Sequence, residues 1–402
     1  MKKILFVDDE PEILSGLKNL LRRRRRQWKM SFALGGAEAL SRLAEERFDV
    51  VVSDMRMPHI DGVAVLTEVH KRYPETARIV LSGFSDQEMA LRATSVAHQF
   101  LSKPCEGETL ANVIQRACDL QDLIDDEAIR KIVGNIDALP VLPRIYTELT
   151  YALSGEESNT KKVASILQQD MAVCAKVLQM VNSSFFRLAR KVTSIEEAVT
   201  YLGIETVKSL TLATKVFDSS TANIQVSGLS IPALQEHALH VAAISKYIAP
   251  KGKQEDAFTA GMLHDIGLLI LAVGLPRQLE DAMSRAHHEE RPLYLVEYEL
   301  FGTSHAEIGA YLLGLWGLPY PVVEAVAHHH WPQRVPQQEY DLLAAVHTAH
   351  LLTRETIPNC HICSVNGPVS DNQDYWQNLK VEKELETWRE FARQQAETQE
   401  DK

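Results

Sequence analysis

The chain has 402 residues, 45% of them hydrophobic and 24% charged, enough for two or three domains of ordinary globular composition. Its formal net charge of -12 argues against nonspecific nucleic-acid binding, which needs clustered Lys and Arg. No stretch reads as a membrane span, no signal peptide is expected at Met1, and five dispersed cysteines, with only Cys360 and Cys363 close together, point to reduced thiols in a cytoplasmic protein.

The first third of the chain alternates short apolar runs with amphipathic segments. Ile4 to Val7, Met30 to Ala33, Val50 to Ser53, Ile79 to Leu81 and Phe100 to Leu101 predict buried strands. Glu12 to Arg24, Ala37 to Glu46, Val63 to Arg72, Gln87 to Ser95 and Glu108 to Leu120 predict the helices between them, with the basic run Arg22 to Arg26 closing the first, where cations suit the dipole. Strands interleaved with helices imply an α/β fold, a doubly wound five-stranded parallel sheet of flavodoxin-like order. Asp8 and Asp9, Asp54, Ser82, and Lys103 before Pro104 each follow a predicted strand. They would therefore collect at the carboxyl edge of the sheet, where open α/β sheets bind ligands. Carboxylates there can hold Mg²⁺, which prefers hard oxygen ligands. One carboxylate can accept a phosphoryl group while a lysine and a hydroxyl neutralise its charge. Asp54, central on the edge, is the expected nucleophile, and Asp8 and Asp9 join it as the metal-binding set.

This conjunction resembles the receiver domain of two-component response regulators over about the first third of the chain. The resemblance implies that a sensor histidine kinase, a phosphotransfer protein or a small phosphodonor phosphorylates Asp54. It places Ser82 and Lys103 on the phosphate, with a Lys103–Pro104 bond of a kind often cis. It also makes Phe100 the aromatic switch residue, acting by packing because it lacks the usual tyrosine hydroxyl.

From about residue 106 the helical pattern runs on. Leu110, Val113, Ala117, Leu120 and Ile124 recur at spacings of three and four, and Ile129, Ile132 and Val133 carry the pattern towards Gly134. Two readings follow: a last helix packing on its own sheet, or a continuous signalling helix that pairs two protomers into a homodimer. Beyond Leu139 strand patterns vanish. Helices are expected over Leu142 to Leu153, Lys161 to Gln169, Val173 to Val181, Ile195 to Leu202, Ile204 to Val216, Ile231 to Ile248, Glu255 to Leu271, Pro276 to His288, Leu293 to Phe301, His305 to Leu313, Pro321 to His328 and 338 to 354. Residues 358 to 374 read as loop and 375 to 402 as a charged helix or frayed tail. The expected organisation is 1–120, a linker 121–138, a helical domain 139–335 and a C-terminal segment 336–402.

The helical part resembles an HDOD domain, a module related to HD-type phosphohydrolases. The resemblance rests on Leu139-Pro140-Val141-Leu142-Pro143, Ile166-Leu167-Gln168-Gln169-Asp170, Val181-Asn182-Ser183, Ser194-Ile195-Glu196-Glu197-Ala198-Val199 and Leu202-Gly203. Gly261-Met262-Leu263-His264-Asp265-Ile266-Gly267, His305-Ala306-Glu307-Ile308-Gly309 and Trp316-Gly317-Leu318-Pro319 add to it. It implies an all-α HD-like domain and a candidate site for Mn, Fe, Ni or Zn at His237, His264, Asp265, His305, His329, His330 and His350. His350 stands where an HD site normally has aspartate, and the Gly-Tyr-Pro signature of cyclic-dinucleotide phosphodiesterases is absent. Three uses of the cluster stay open: inherited scaffold, metal binding without turnover, and hydrolysis of a nucleotide phosphodiester. HDOD domains are generally regarded as regulatory, so the expectation is a response regulator whose output binds a downstream signalling protein, with neither direct DNA binding nor membrane contact.

Overall fold

A computed structural model describes residues 1–82, 96–136, 139, 145, 148–149, 152, 159–182, 188, 190–204, 206–207, 226–336, 339–356 and 373–400. The expected helices Gln87 to Ser95 and Leu142 to Leu153, most of Ile204 to Val216, the prolines Pro140 and Pro143, and Cys360 and Cys363 fall outside these residues wholly or in large part. The chain divides into two compact units: Met1–Asp137 with Gln179–Lys191 and Tyr311–Leu318, and Ala138–Leu178 with Val192–Ala310 and Pro319–Lys402.

In the first unit, strands β1 (Lys2–Asp8), β2 (Trp28–Leu34), β3 (Val50–Asp54), β4 (Ala77–Ser82) and β5 (Gln99–Ser102) form one sheet of order β2-β1-β3-β4-β5. All pairings are parallel. The period of two sends Leu5, Val7, Val51 and Val80 into a core with Leu43, Leu66 and Val69. Ile4, Phe6, Val50, Val52 and Ile79, equally buried, face the opposite side. Burial on both faces is why these strands read as continuous apolar runs. The helices are α1 (Pro11–Leu20), α2 (Gly36–Glu45), α3 (Gly62–Arg72), α4 (Gly107–Gln121) and α5 (Glu127–Gly134).

Two expectations are corrected here. Arg22–Arg26 does not extend α1 but forms a 3₁₀ turn of its own. Adjacent guanidinium groups would repel along an α-helical face, and Arg24 instead lies over the Trp28 ring, 5.7 Å from its centroid. The helix from about 106 to 133 is not continuous either. Asp119, Asp122, Asp125 and Asp126 gather where α4 ends, against the negative end of its dipole. The chain turns, Asp126 caps α5 by accepting from the Ala128 amide at 2.6 Å, and Arg130 donates to the carbonyls of Gln121, Ile124 and Asp125. Of the seam read as a dimer face, Leu110, Ala117, Leu120 and Ile124 are buried within the chain and Val113 is half-buried.

Arg78 on β4 ties this region together. Its guanidinium donates to the carbonyls of Val96 (2.5 Å), Pro74 (2.9 Å), Thr76 (3.1 Å) and Gly134 (3.0 Å). Gly134 must be glycine because a Cβ would come within 1.9 Å of the Pro74 oxygen. Arg78 is 2% exposed, so its removal strands several buried carbonyls at once. We expect Arg78→Ala to destabilise the protein by about 3 kcal/mol, read as a lower urea midpoint at unchanged slope. A change below about 0.5 kcal/mol would show that the network is not structural.

The second unit is helical among its described residues. It contains α6 (Thr160–Leu167), α7 (Met171–Val181), α8 (Ile195–Leu202), α9 (Ile231–Ile248), α10 (Gln254–Leu263), α11 (Ile266–Gly274), α12 (Pro276–His288), α13 (Leu293–Phe301), α14 (His305–Leu315), α15 (Tyr320–His328), α16 (Leu342–Thr356), α17 (Gln373–Asn378) and α18 (Leu385–Glu400), with parts of α7 and α14 in the first unit. The expected helix Glu255 to Leu271 is broken at His264 and Asp265, which separate α10 from α11. Gln254–Gly274 is long and apolar enough by length and composition to cross a membrane, which the sequence reading did not anticipate. Yet 83% of its apolar window is buried inside the protein. The C-terminal segment is no frayed tail: Phe391 stacks on Tyr247 at 3.8 Å, and Ala392 joins Val241, Ile244, Ala345 and Leu352 in one core.

Candidate functional site

At the carboxyl edge of the sheet Asp8 and Asp54 are nearly buried, at 1% and 7% exposure. The backbone aims both: the Glu10 amide donates to Asp8 Oδ1 at 3.0 Å and the Arg56 amide to Asp54 Oδ2 at 2.7 Å. Lys103, carried in by a cis Lys103–Pro104 bond, donates to Asp8 Oδ2 at 2.7 Å and also pairs with Asp54 Oδ1. Burial raises the Asp54 carboxyl, opposed by Lys103 and helped by Asp8. Burial lowers the Lys103 ammonium, but the two carboxylates outweigh it and the net shift is upward. Gly62 opens α3 directly under this edge, where a Cβ would sit 1.9 Å from the Asp54 carbonyl oxygen. Asp9 is half-buried in the turn after β1, and Phe100 is buried in the core of the sheet. Ser82 ends β4, but its side chain is outside the described residues.

The second site lies wholly in the helical unit. His237 comes from α9, His264 and Asp265 from the α10–α11 break, His305 from the start of α14, His329 and His330 from the end of α15, and His350 from α16. Glycines let these elements approach. At Gly261 a Cβ would meet Ala242 Cα at 2.8 Å, and at Gly267 it would meet the His305 carbonyl oxygen at 1.8 Å. Asp265 sits in the middle. Its Oδ2 faces His264 Nε2 at 3.1 Å and His237 Nε2 at 3.7 Å, and its Oδ1 faces His305 Nε2 at 3.3 Å and His329 Nε2 at 3.5 Å. His330 Nε2 lies 2.9 Å from His305 Nε2, and His350 Nδ1 lies 3.3 Å from His264 Nε2. The structure thus brings together every histidine and aspartate named from sequence for this cluster.

Several of these atoms are orphaned. Asp265 Oδ1, His329 Nε2 and His350 Nε2 are buried and accept or donate no hydrogen bond. A buried polar atom without a partner costs about 1–3 kcal/mol, so a convergence of them is a poor scaffold and a good donor set for a cation. Burial lowers His329 to about 4 and holds His330 and His350 well below the usual range, keeping these three imidazoles neutral as ligation requires. Burial also acts to lower His305, but Glu297 and Asp265 outweigh it and push it up to about 10. Imidazole and carboxylate donors suit Mn, Fe, Ni or Zn.

Glu297 was missed from sequence. It is fully buried, and its Oε2 accepts from His305 Nδ1 at 2.6 Å and from the His305 amide at 2.8 Å. Its signal was present: it shares the buried stripe of α13 with Leu293, Val296 and Phe301. Tyr294, stacked on His330 at 4.3 Å, was missed as well.

The parallel sheet thus ends in an acidic edge paired to one lysine, and the helices that follow carry a buried histidine–aspartate cluster. The response regulator receiver model matches residues 4–115 and the HDOD model matches 139–332. The chain thus carries a response regulator receiver domain followed by an HDOD domain. His350 lies beyond the HDOD match. The MmoQ response regulator from Methylococcus capsulatus str. Bath shares the fold at a TM-score of 0.50 and 21% identity, over 63% of this chain and 98% of that one. An uncharacterized protein of Treponema pallidum (strain Nichols) is 25% identical over 226 residues, 56% of this chain and 44% of its own. The hydrogenase transcriptional regulatory protein HoxA of Cupriavidus necator is 34% identical over 125 residues, 31% of this chain and 25% of its own. The chain spans less than half the length of these curated relatives.

Proposed function

We propose that phosphorylation of Asp54 is the input of this response regulator and that the HDOD domain is its output, acting by binding another signalling protein. The observation that carries this reading is the edge itself: two nearly buried carboxylates, Asp8 and Asp54, share a single lysine. With Asp9 beside them the edge keeps an excess of negative charge, which fits Mg²⁺ held by Asp8, Asp9 and Asp54. Mg²⁺ bound there supplies charge neutralisation to phosphoryl oxygens. Asp54 is the nucleophile, Lys103 pairs with the phosphate once it forms, and Ser82 donates a hydroxyl to it. Phe100 reports the change by repacking. A cytoplasmic sensor histidine kinase or phosphotransfer protein supplies the phosphoryl group.

Hydrogen–deuterium exchange of the whole chain, with and without beryllofluoride as a stable phosphoryl mimic, tests the coupling. Altered protection should extend beyond residues 1–136 into peptides of 159–332, and Asp54→Asn should abolish it. A response confined to the receiver would overturn control of the output.

A second reading concerns the histidine cluster and is favoured by its orphaned nitrogens and oxygen. His237, His264, Asp265, His305, His329, His330 and His350 would hold a transition metal as part of the regulatory module. Phosphodiester hydrolysis is the rival use.

A further inference from the structure

We propose that Glu297, which is not itself a ligand, is the positioning residue that lets the cluster hold two metal ions instead of one; this rests on the reading that the cluster binds metal at all.

The donors fall into two groups, His237–His264–Asp265–His350 and Asp265–His305–His329–His330, each with its ligand atoms within 4.8 Å of one another. Asp265 is common to both. It turns Oδ2 to His264 and His237, and Oδ1 to His305 and His329. The first group does not depend on Glu297. His264 is anchored within its own segment, its Nδ1 donating to the Gly261 carbonyl at 2.6 Å. In the second group His329 is held in the same way, its Nδ1 donating to the Val326 carbonyl at 2.8 Å.

His305 cannot use that device. It is the first residue of α14, so no helical turn of carbonyls precedes it. Glu297 substitutes for the missing carbonyl. One carboxylate oxygen takes both the ring Nδ1–H and the backbone N–H of His305, at 2.6 Å and 2.8 Å. With Nδ1 committed to Glu297, Nε2 is the nitrogen presented to Asp265 and His330. The other Glu297 oxygen is buried without a hydrogen-bond partner. A glutamate fully buried at that cost is hard to account for as a hydrogen-bond acceptor alone, since a glutamine carbonyl would accept as well. A charge behind the imidazole raises the basicity of the ligating nitrogen, and loss of such partners typically weakens metal affinity 10–100-fold. The effect should fall on the ion that uses His305 and spare the ion held by His237, His264 and His350.

Cobalt provides the test, by equilibrium dialysis of the full chain and by its visible absorption. Wild type should bind two Co²⁺ per chain, with the band growing over both equivalents. Glu297→Gln should bind the first with unchanged affinity and the second at least tenfold more weakly. Glu299→Gln, on the exposed side of the same helix, should match wild type. Far-UV circular dichroism without metal checks that Glu297→Gln is folded. If it is not, ¹⁵N-histidine wild type loaded with ¹¹³Cd replaces it: coupling should appear at Nε2 of His305, and coupling at Nδ1 or none at that ring overturns the proposal. Two ions bound equally tightly by Glu297→Gln, or a single ion in wild type, also overturns it while leaving metal binding intact. No cobalt bound by wild type removes both.

Discussion

Asparagine at position 54 should abolish acyl-phosphate formation. Wild type incubated with Mg²⁺ and acetyl phosphate should gain one acid-stable, hydroxylamine-labile phosphoryl group, and Asp54→Asn none. The expectation rests on position and charge together. Asp54 ends the third strand, one register step beyond Ser53, which pairs with Val7 just before Asp8. Its Oδ2 is fixed by the Arg56 amide and its Oδ1 by Lys103, so the nucleophilic oxygens are already oriented. Asparagine preserves the shape but removes the anionic nucleophile, and Asp8, the nearest carboxylate, is locked to the Glu10 amide and Lys103. Chelating Mg²⁺ should stop labelling of the wild type too, because the uncompensated carboxylates would repel an anionic phosphodonor. Equal labelling of wild type and Asp54→Asn would move the phosphoacceptor elsewhere. Mass spectrometry of the borohydride-reduced protein would locate it.

The receiver edge was legible because each of its residues directly follows an apolar run. A strand fixes the direction of its own end, so Asp8, Asp54 and Lys103 converge once the sheet order is known. The α4–α5 break was not legible in the same way. The apolar spacing of Leu110, Ala117, Leu120 and Ile124 is identical whether a face packs inside the chain or on a second copy. The acid run Asp119, Asp122, Asp125 and Asp126, which ends the helix, carries its signal in charge instead of periodicity. In the helical unit the histidines were found by likeness to a family, not by spacing, since they come from five separate segments. Glu297 belonged to none of the matching pieces. Only its place between Val296 and Phe301 on a buried stripe, an acid where an apolar residue belongs, could have marked it. The break between α10 and α11 went unread for a related reason: Gln254 to Gly274 is apolar enough to propagate a helix, and what interrupts it is the pair His264–Asp265, held in place by long-range partners.

Asp265→Ala should remove metal-dependent stabilisation entirely, whereas His350→Ala should leave part of it. Each Asp265 oxygen faces two imidazole nitrogens, so this one side chain belongs to both donor groups, while His350 belongs to one. A ligand at one hundred times its dissociation constant stabilises the folded state by about 2.7 kcal/mol per site. In a chain of this size that is a rise of several degrees in melting temperature. Wild type with added Mn²⁺ or Zn²⁺ should show the rise and lose it on chelation, Asp265→Ala should show none, and His350→Ala an intermediate one. Without metal, Asp265→Ala should still destabilise the fold: burial acts to raise the Asp265 carboxyl, but His264, His305 and His329 outweigh it and hold it well below the usual carboxylate range, so its removal leaves buried imidazoles without their counter-charge. The same samples separate regulation from catalysis. A hydrolytic site needs a base to handle protons beside an open coordination position, and by the resemblance to HD domains His350 stands where a last carboxylate is expected. Purified wild type should therefore not turn over cyclic dinucleotides with Mn²⁺ or Fe²⁺. Turnover that Asp265→Ala abolishes would make the helical domain a receiver-controlled phosphodiesterase, and equal metal shifts in wild type and Asp265→Ala would place the metal away from this cluster.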